Sequence, residues 1–160
     1  MFKKILVATD LSEGSRAALR TAFGLAHRLD APVVVLHVTE PAYESRAWFS
    51  PLTERESELY RAISSREEEA ARRTLDELVQ EVAGGAAGAV QVTTMVLPGI
   101  PADLIPTTAR ELGCNLIVLG THGRRGFRHA ILGSIAERVV RLSPIPVLTV
   151  HAERPSSPAS

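Results

Sequence analysis

Short unbroken apolar runs alternate along the chain with longer stretches whose apolar positions return every three or four residues. Ile5-Leu6-Val7-Ala8 is the first run, and continuous apolarity over so few residues suits a strand buried on both faces. From Ser12 to Leu29, the residues Ala18, Leu19, Ala22, Leu25, Ala26 and Leu29 share one helical face. Ser12 offers an N-cap oxygen for an unpaired amide, and Asp30-Ala31-Pro32 ends the helix. The β-branched run from Val33 to Val38 is a second strand. Residues Thr39 to Leu52, with Pro41 and Pro51 near the ends, read as a loop. Thr53-Glu54-Arg55-Glu56 has capping-box spacing and opens a long helix. Its apolar face is Leu59, Ile63, Ala71, Leu75, Leu78 and Val82, and Gly84-Gly85 stops it. A second capping signal at Ser65-Arg66-Glu67-Glu68 predicts a break near Ser64.

Val90 to Leu97 reads as the third strand, and Pro98-Gly99 turns the chain. A helix follows from Pro101 to about Leu112, with a kink expected at Pro106, which has no amide for the ladder. Asn115 to Leu119 is the fourth strand. After a glycine-rich loop, Ser134-Ile135-Ala136-Glu137 supplies a third capping signal for a last helix ending near Leu142. Pro146 to Val150 is the fifth strand. Strict alternation of this kind predicts an α/β fold: an open, doubly wound, five-stranded parallel sheet with helices on both faces. Such sheets bind ligands beyond the carboxyl ends of the strands where strand order reverses. The candidate site therefore gathers Ala8 to Ser12, Val38 to Thr39, and Gly120 onward.

Composition narrows the class. With 160 residues, 45% hydrophobic and 22% charged, the chain has the length of one domain, residues 1–151, followed by a Pro/Ser/Ala-rich tail, residues 152–160, expected to be disordered. Lys+Arg and Asp+Glu are both 18, and without a basic excess no nucleic-acid partner is expected. The apolar runs are strand-sized, so no membrane span is expected. The amino terminus enters a strand directly, without the features of a signal peptide. One cysteine, Cys114, excludes an internal disulfide framework. The expected location is the cytoplasm.

Chemistry concentrates in Gly120-Thr121-His122-Gly123, nine residues, then Gly133-Ser134. Gly120, Gly123 and Gly126 permit close backbone approach. Gly133-Ser134 stands where a helix begins, and helix starts present unpaired amides with partial positive charge. Ser134 adds a hydroxyl, and Arg124 or Arg125 could reach a phosphate. The parts suit a phosphate cradle without a Walker lysine; a flexible loop plus an ordinary N-cap is the bland alternative.

Gly-x-x-Gly, nine residues, Gly-Ser resembles the nucleotide motif of the universal stress protein family. Ile5-Leu6-Val7-Ala8-Thr9-Asp10-Leu11-Ser12, Leu36-His37-Val38 and Leu116-Ile117-Val118-Leu119-Gly120-Thr121-His122-Gly123 are similar to that family's strand ends. The likeness covers residues 2 to 150. It implies strand order 3-2-1-4-5 and a homodimer through the strand Pro146 to Val150. It also implies ATP, or ADP or AMP, bound with Mg2+ by a nucleotide-dependent stress-response regulator. Asp10, following Ala8 and Thr9, would lie near the ribose or adenine end. The Val38 backbone would meet the adenine edge. Gly120, Thr121, His122 and Gly123 would wrap the ribose and first phosphate, with Arg124, Arg125 and Gly126 following. Gly133, Ser134 and Ile135 would hold the phosphates.

Other readings fit less well. A phosphoacceptor receiver domain also carries an aspartate after its first strand. It needs a second acid beside it, an aspartate ending strand three and a lysine after strand five, and the only lysines are Lys3 and Lys4. A flavin loop built on Thr9, Ser12 and Ser15 lacks aromatic residues to sandwich the ring. His27, His37, His122, His129 and His151 show no metal-ligand spacing. His37 on a buried strand reads as a hydrogen-bonded core histidine. Tyr43, Trp48 and Phe49 are candidate lid residues. A slow ATPase or nucleotidyl transferase of the same fold would need a base, for which Asp10 and His122 are the candidates. A dimeric scaffold without nucleotide is the remaining alternative.

Overall fold

The computed structural model describes residues 1–40, 53–84, 90–121 and 132–151. Within them the elements run β1 (Ile5–Ala8), α1 (Glu13–Leu29), β2 (Val33–Thr39), α2 (Glu54–Ala83), β3 (Val92–Pro98), α3 (Pro101–Glu111), β4 (Leu116–Gly120), α4 (Ser134–Leu142) and β5 (Val147–Val150). The five strands form one sheet in the order β3-β2-β1-β4-β5, every neighbouring pair parallel. The architecture and strand order are those expected from the sequence.

Side chains alternate across the sheet, and each set builds its own core. Ile5, Val7, Val33, Val35, Leu116 and Val118 face α1 and α2, packing on Leu19, Phe23, Leu75 and Leu78. Leu6, Ala8, Val34, Leu36, Ile117 and Leu119 face α3 and α4, packing on Ile105, Ala109, Ala136 and Val139. The central strands are apolar on both faces because helices cover both. Strand order reverses between β1 and β4, which fixes where a crevice opens at the carboxyl edge.

Several local expectations are corrected. Helix α2 runs unbroken through Ser65, whose hydroxyl donates to Arg61 O at 2.9 Å. A serine inside a formed helix satisfies its hydroxyl on the preceding turn, so its capping signal is silent. The true start is the Thr53–Glu56 capping box, with Thr53 N donating to Glu56 Oε2 at 2.9 Å. Leu59 and Ile63 are exposed instead of packed, because the buried residues of α2 begin at Leu75. For α4 the N-cap is Gly133, not Ser134, and no side chain caps it. Ser12 occupies the N-cap position of α1 without a side-chain cap bond. Pro106 does lie inside α3, where the sequence placed it.

Candidate functional site

The turn after β1 is built from four short polar side chains. Ser15 Oγ gives its single proton to Ser12 O at 2.8 Å, so in its 2.7 Å contact with Thr9 Oγ1 the threonine donates. Thr9 Oγ1 in turn accepts from Leu11 N at 3.0 Å. Asp10 Oδ1 accepts from Ser12 N at 3.1 Å and from Ser12 Oγ, the Asx turn that an aspartate two residues before a helix start favours. This network draws the Ser12 hydroxyl away from capping. It also holds Leu11 at φ 64, a left-handed backbone uncommon for a leucine.

His37 lies beneath this turn, 8% exposed, with Nδ1 2.8 Å from Thr9 O. A carbonyl only accepts, so Nδ1 is the protonated nitrogen. The core-histidine expectation holds, and its partner is the residue that starts the turn. Val38 follows, half-buried. At the next position Thr39 O accepts Gly99 N at 2.8 Å, which ties the ends of β2 and β3 together.

On the other side of the reversal, Thr121 is the junction. Its N–H donates to Val150 O at 2.9 Å, its carbonyl accepts Gly133 N at 2.6 Å, and its Oγ1 lies 3.1 Å from His151 Nδ1. Thr121 is 1% exposed. The Gly133 amide is thus engaged in seating α4. The N–H groups of Ser134, Ile135 and Ala136 follow in the first helical turn, where no intrahelical acceptor exists. Glu137 N closes the turn on Gly133 O at 2.9 Å. Ser134 and Ile135 are exposed.

The structure therefore brings Thr9, Asp10, Val38, Gly120, Thr121, Gly133, Ser134 and Ile135 to one edge of the sheet. Ala8 lies just below, its side chain in the core. His122, Gly123, Arg124, Arg125 and Gly126 lie outside the described residues, as do Tyr43, Trp48, Phe49 and the tail 152–160. Sequence reasoning left Ser15 and Gly99 out of the site. Ser15 entered only through the flavin-loop reading with Thr9 and Ser12, and that grouping did not predict its hydrogen bond to Thr9. Among the described residues no three metal-ligating side chains gather, and no helix is long and apolar enough to cross a membrane.

A model of the universal stress protein family matches residues 1–151. Universal stress protein MJ0531 of Methanocaldococcus jannaschii is 31% identical over 150 residues, spanning 94% of this chain and 82% of that protein. The solved structure of the hypothetical protein MJ0577, from the same organism, superposes with a TM-score of 0.77 at 26% identity, covering 97% of this chain and 99% of that one. Two further solved universal stress proteins share the fold. One is in complex with cAMP, with a TM-score of 0.65, 23% identity and coverage of 95% and 98%. The other, from Archaeoglobus fulgidus, is in complex with dAMP, with a TM-score of 0.60, 24% identity and coverage of 92% and 97%.

Proposed function

The chain belongs to the universal stress protein family, and from that premise we propose that it binds an adenine nucleotide, ATP with Mg2+, at the carboxyl edge between β1 and β4. It then acts in the cytoplasm as a nucleotide-dependent regulator of the stress response, assembled as a homodimer through β5.

The observation that carries this reading is the 2.6 Å bond from Gly133 N to Thr121 O. It seats the start of α4 against the end of β4, so the amides of Ser134, Ile135 and Ala136 stand beside the reversal point. Unpaired amides at the positive end of a helix favour phosphate. Cyclic AMP and dAMP in two family structures are adenine nucleotides too. Since no group of three ligating side chains gathers among the described residues, Mg2+ would draw much of its coordination from phosphate oxygens and water. Bound there, the ion supplies charge neutralisation for the phosphates. Asp10 Oδ1 is committed to the Asx turn.

Support for the dimer comes from the open edge. The residues of β5 are half-buried, while Ile135, Val140 and Leu142 of α4 are exposed. An apolar edge strand of this kind invites pairing with a second copy.

Mass spectrometry of what co-purifies, followed by calorimetry with ATP, ADP and AMP in the presence of Mg2+, tests the reading. Micromolar to sub-millimolar binding of at least one of them is expected. Folded protein that binds none of the three at millimolar concentration overturns it.

A further inference from the structure

The β1–β2 ladder stops one rung short of where its geometry would carry it. Backbone polar groups of successive strand residues face opposite neighbours. Ile5 N donates to Pro32 O at 3.0 Å and Thr9 N to Leu36 O at 2.9 Å, so the even-numbered residues of β2 face β1. Thr39 O accepts Gly99 N from beyond β3, so the odd-numbered ones face the other way. Val38 therefore directs both its N–H and its C=O towards β1. The rung due next in this ladder runs from Val38 N–H to Thr9 O. Among the described residues it is not made: the register ends at Ala8 opposite Leu36, and the Thr9 carbonyl is held at 2.8 Å by His37 Nδ1.

We propose that His37 is a positioning residue that sets base specificity. Its buried ring takes Thr9 O out of the ladder and so keeps the Val38 N–H and C=O open as an adjacent donor and acceptor. An adenine edge offers the complement, an acceptor at N1 and a donor at N6. A hypoxanthine or guanine edge offers the reverse, N1–H and O6, and would leave both Val38 groups facing like partners. A site that hydrogen-bonds one pattern rejects the analogue that lacks it. The ring is fixed by burial. The Thr9 side chain is anchored in turn by the Oγ1 bonds to Ser15 Oγ and Leu11 N. The specificity rests on the adenine-nucleotide reading; the effect on the ladder does not.

The experiment has a ligand-free arm and a ligand arm. In ligand-free wild type, amide exchange read by NMR should show Val38 N–H exchanging at least tenfold faster than Leu36 N–H. In His37→Leu the freed Thr9 carbonyl captures Val38, whose exchange should slow at least tenfold. ATP affinity should fall at least tenfold, and the preference for ATP over ITP should shrink. Asparagine places an amide N–H near the position of Nδ1, so His37→Asn should restore both exchange and preference. A Val38 amide already protected in ligand-free wild type overturns the inference without any variant. So does a folded His37→Leu protein with wild-type exchange and wild-type ATP-to-ITP ratio, or a folded His37→Asn protein that behaves like His37→Leu. Wild type that binds neither nucleotide overturns the proposed function and the specificity with it, while the ligand-free arm separately decides what His37 does to the ladder.

Discussion

At Gly133 the backbone has φ −68 and ψ 157, angles open to any residue, so glycine is not needed there for its dihedral freedom. What glycine omits is a side chain next to the amides of Ser134 and Ile135. Gly133→Val should therefore fold normally yet bind ATP at least tenfold more weakly, about 1.4 kcal/mol. Calorimetry on the folded variant checks this, and unchanged affinity would remove the phosphates from the start of α4. Cys114 illustrates a residue outside the site. It is 4% exposed, and burial pushes its thiol up, with Lys4 opposing. The folded state holds the proton more tightly than the unfolded chain. This contribution to stability is thus intact below the unfolded thiol's range, near pH 8.5, and is lost as pH rises through the higher folded value. Cys114 should resist alkylation at pH 8 in native protein and react once the chain is denatured, as mass spectrometry would show. Its burial was legible from its place before an apolar strand. The Thr9–Ser15 bond was not, because a contact between a strand end and the first turn of a helix leaves no periodic trace.

Elements were legible where periodicity and burial agree. The four-residue apolar run of β1 and the spacing of α1 each name their structure, and both are packed on every apolar position that matters. Helix α2 shows where that reasoning fails. Its thirty residues extend about 45 Å, yet all its buried residues lie from Leu75 onward. Leu59 and Ile63 carry core spacing but no core. Periodicity records which face is apolar, not whether another element is there to cover it. The second capping signal at Ser65 failed for a related reason: an N-cap can act only where a helix begins, and at Ser65 the helix is already under way. Since the first turns of α2 bury little, their stability depends on the Thr53–Glu56 capping box. Thr53→Ala should cost about 1 kcal/mol locally. Amide exchange across residues 54–57 should accelerate, while the global melting temperature barely moves. A large fall in melting temperature would mean that this end of α2 is coupled to the core.

For the whole molecule, alternation along the chain was enough to predict a doubly wound sheet, and the resemblance carried by the strand ends and glycine pattern supplied its strand order. Which groups on the edge are open depends on register, which the sequence does not display. In β5, Ile117 N donates to Pro146 O and Thr121 N to Val150 O, so residues 146, 148 and 150 face β4. Val147 and Thr149 then present their N–H and C=O groups at the open edge. Thr149→Pro removes an outward donor without touching the inner ladder, as edge positions tolerate. It should shift the protein towards monomer in sedimentation at micromolar concentration. A wild type that is purely monomeric under those conditions would sink the dimer on its own.

Thr121 gives its amide to Val150, at the strand end proposed for pairing, and its carbonyl to Gly133, at the helix start proposed for phosphate. One buried residue is thus bonded to both elements. If the proposed nucleotide displaces α4, or the proposed pairing displaces β5, Thr121 is the bonded residue through which each would reach the other. If the two proposed binding events are coupled through it, the coupling is reciprocal: the factor by which nucleotide alters self-association is the factor by which self-association alters nucleotide affinity. The concentration of the protein itself would then enter the dose response to nucleotide.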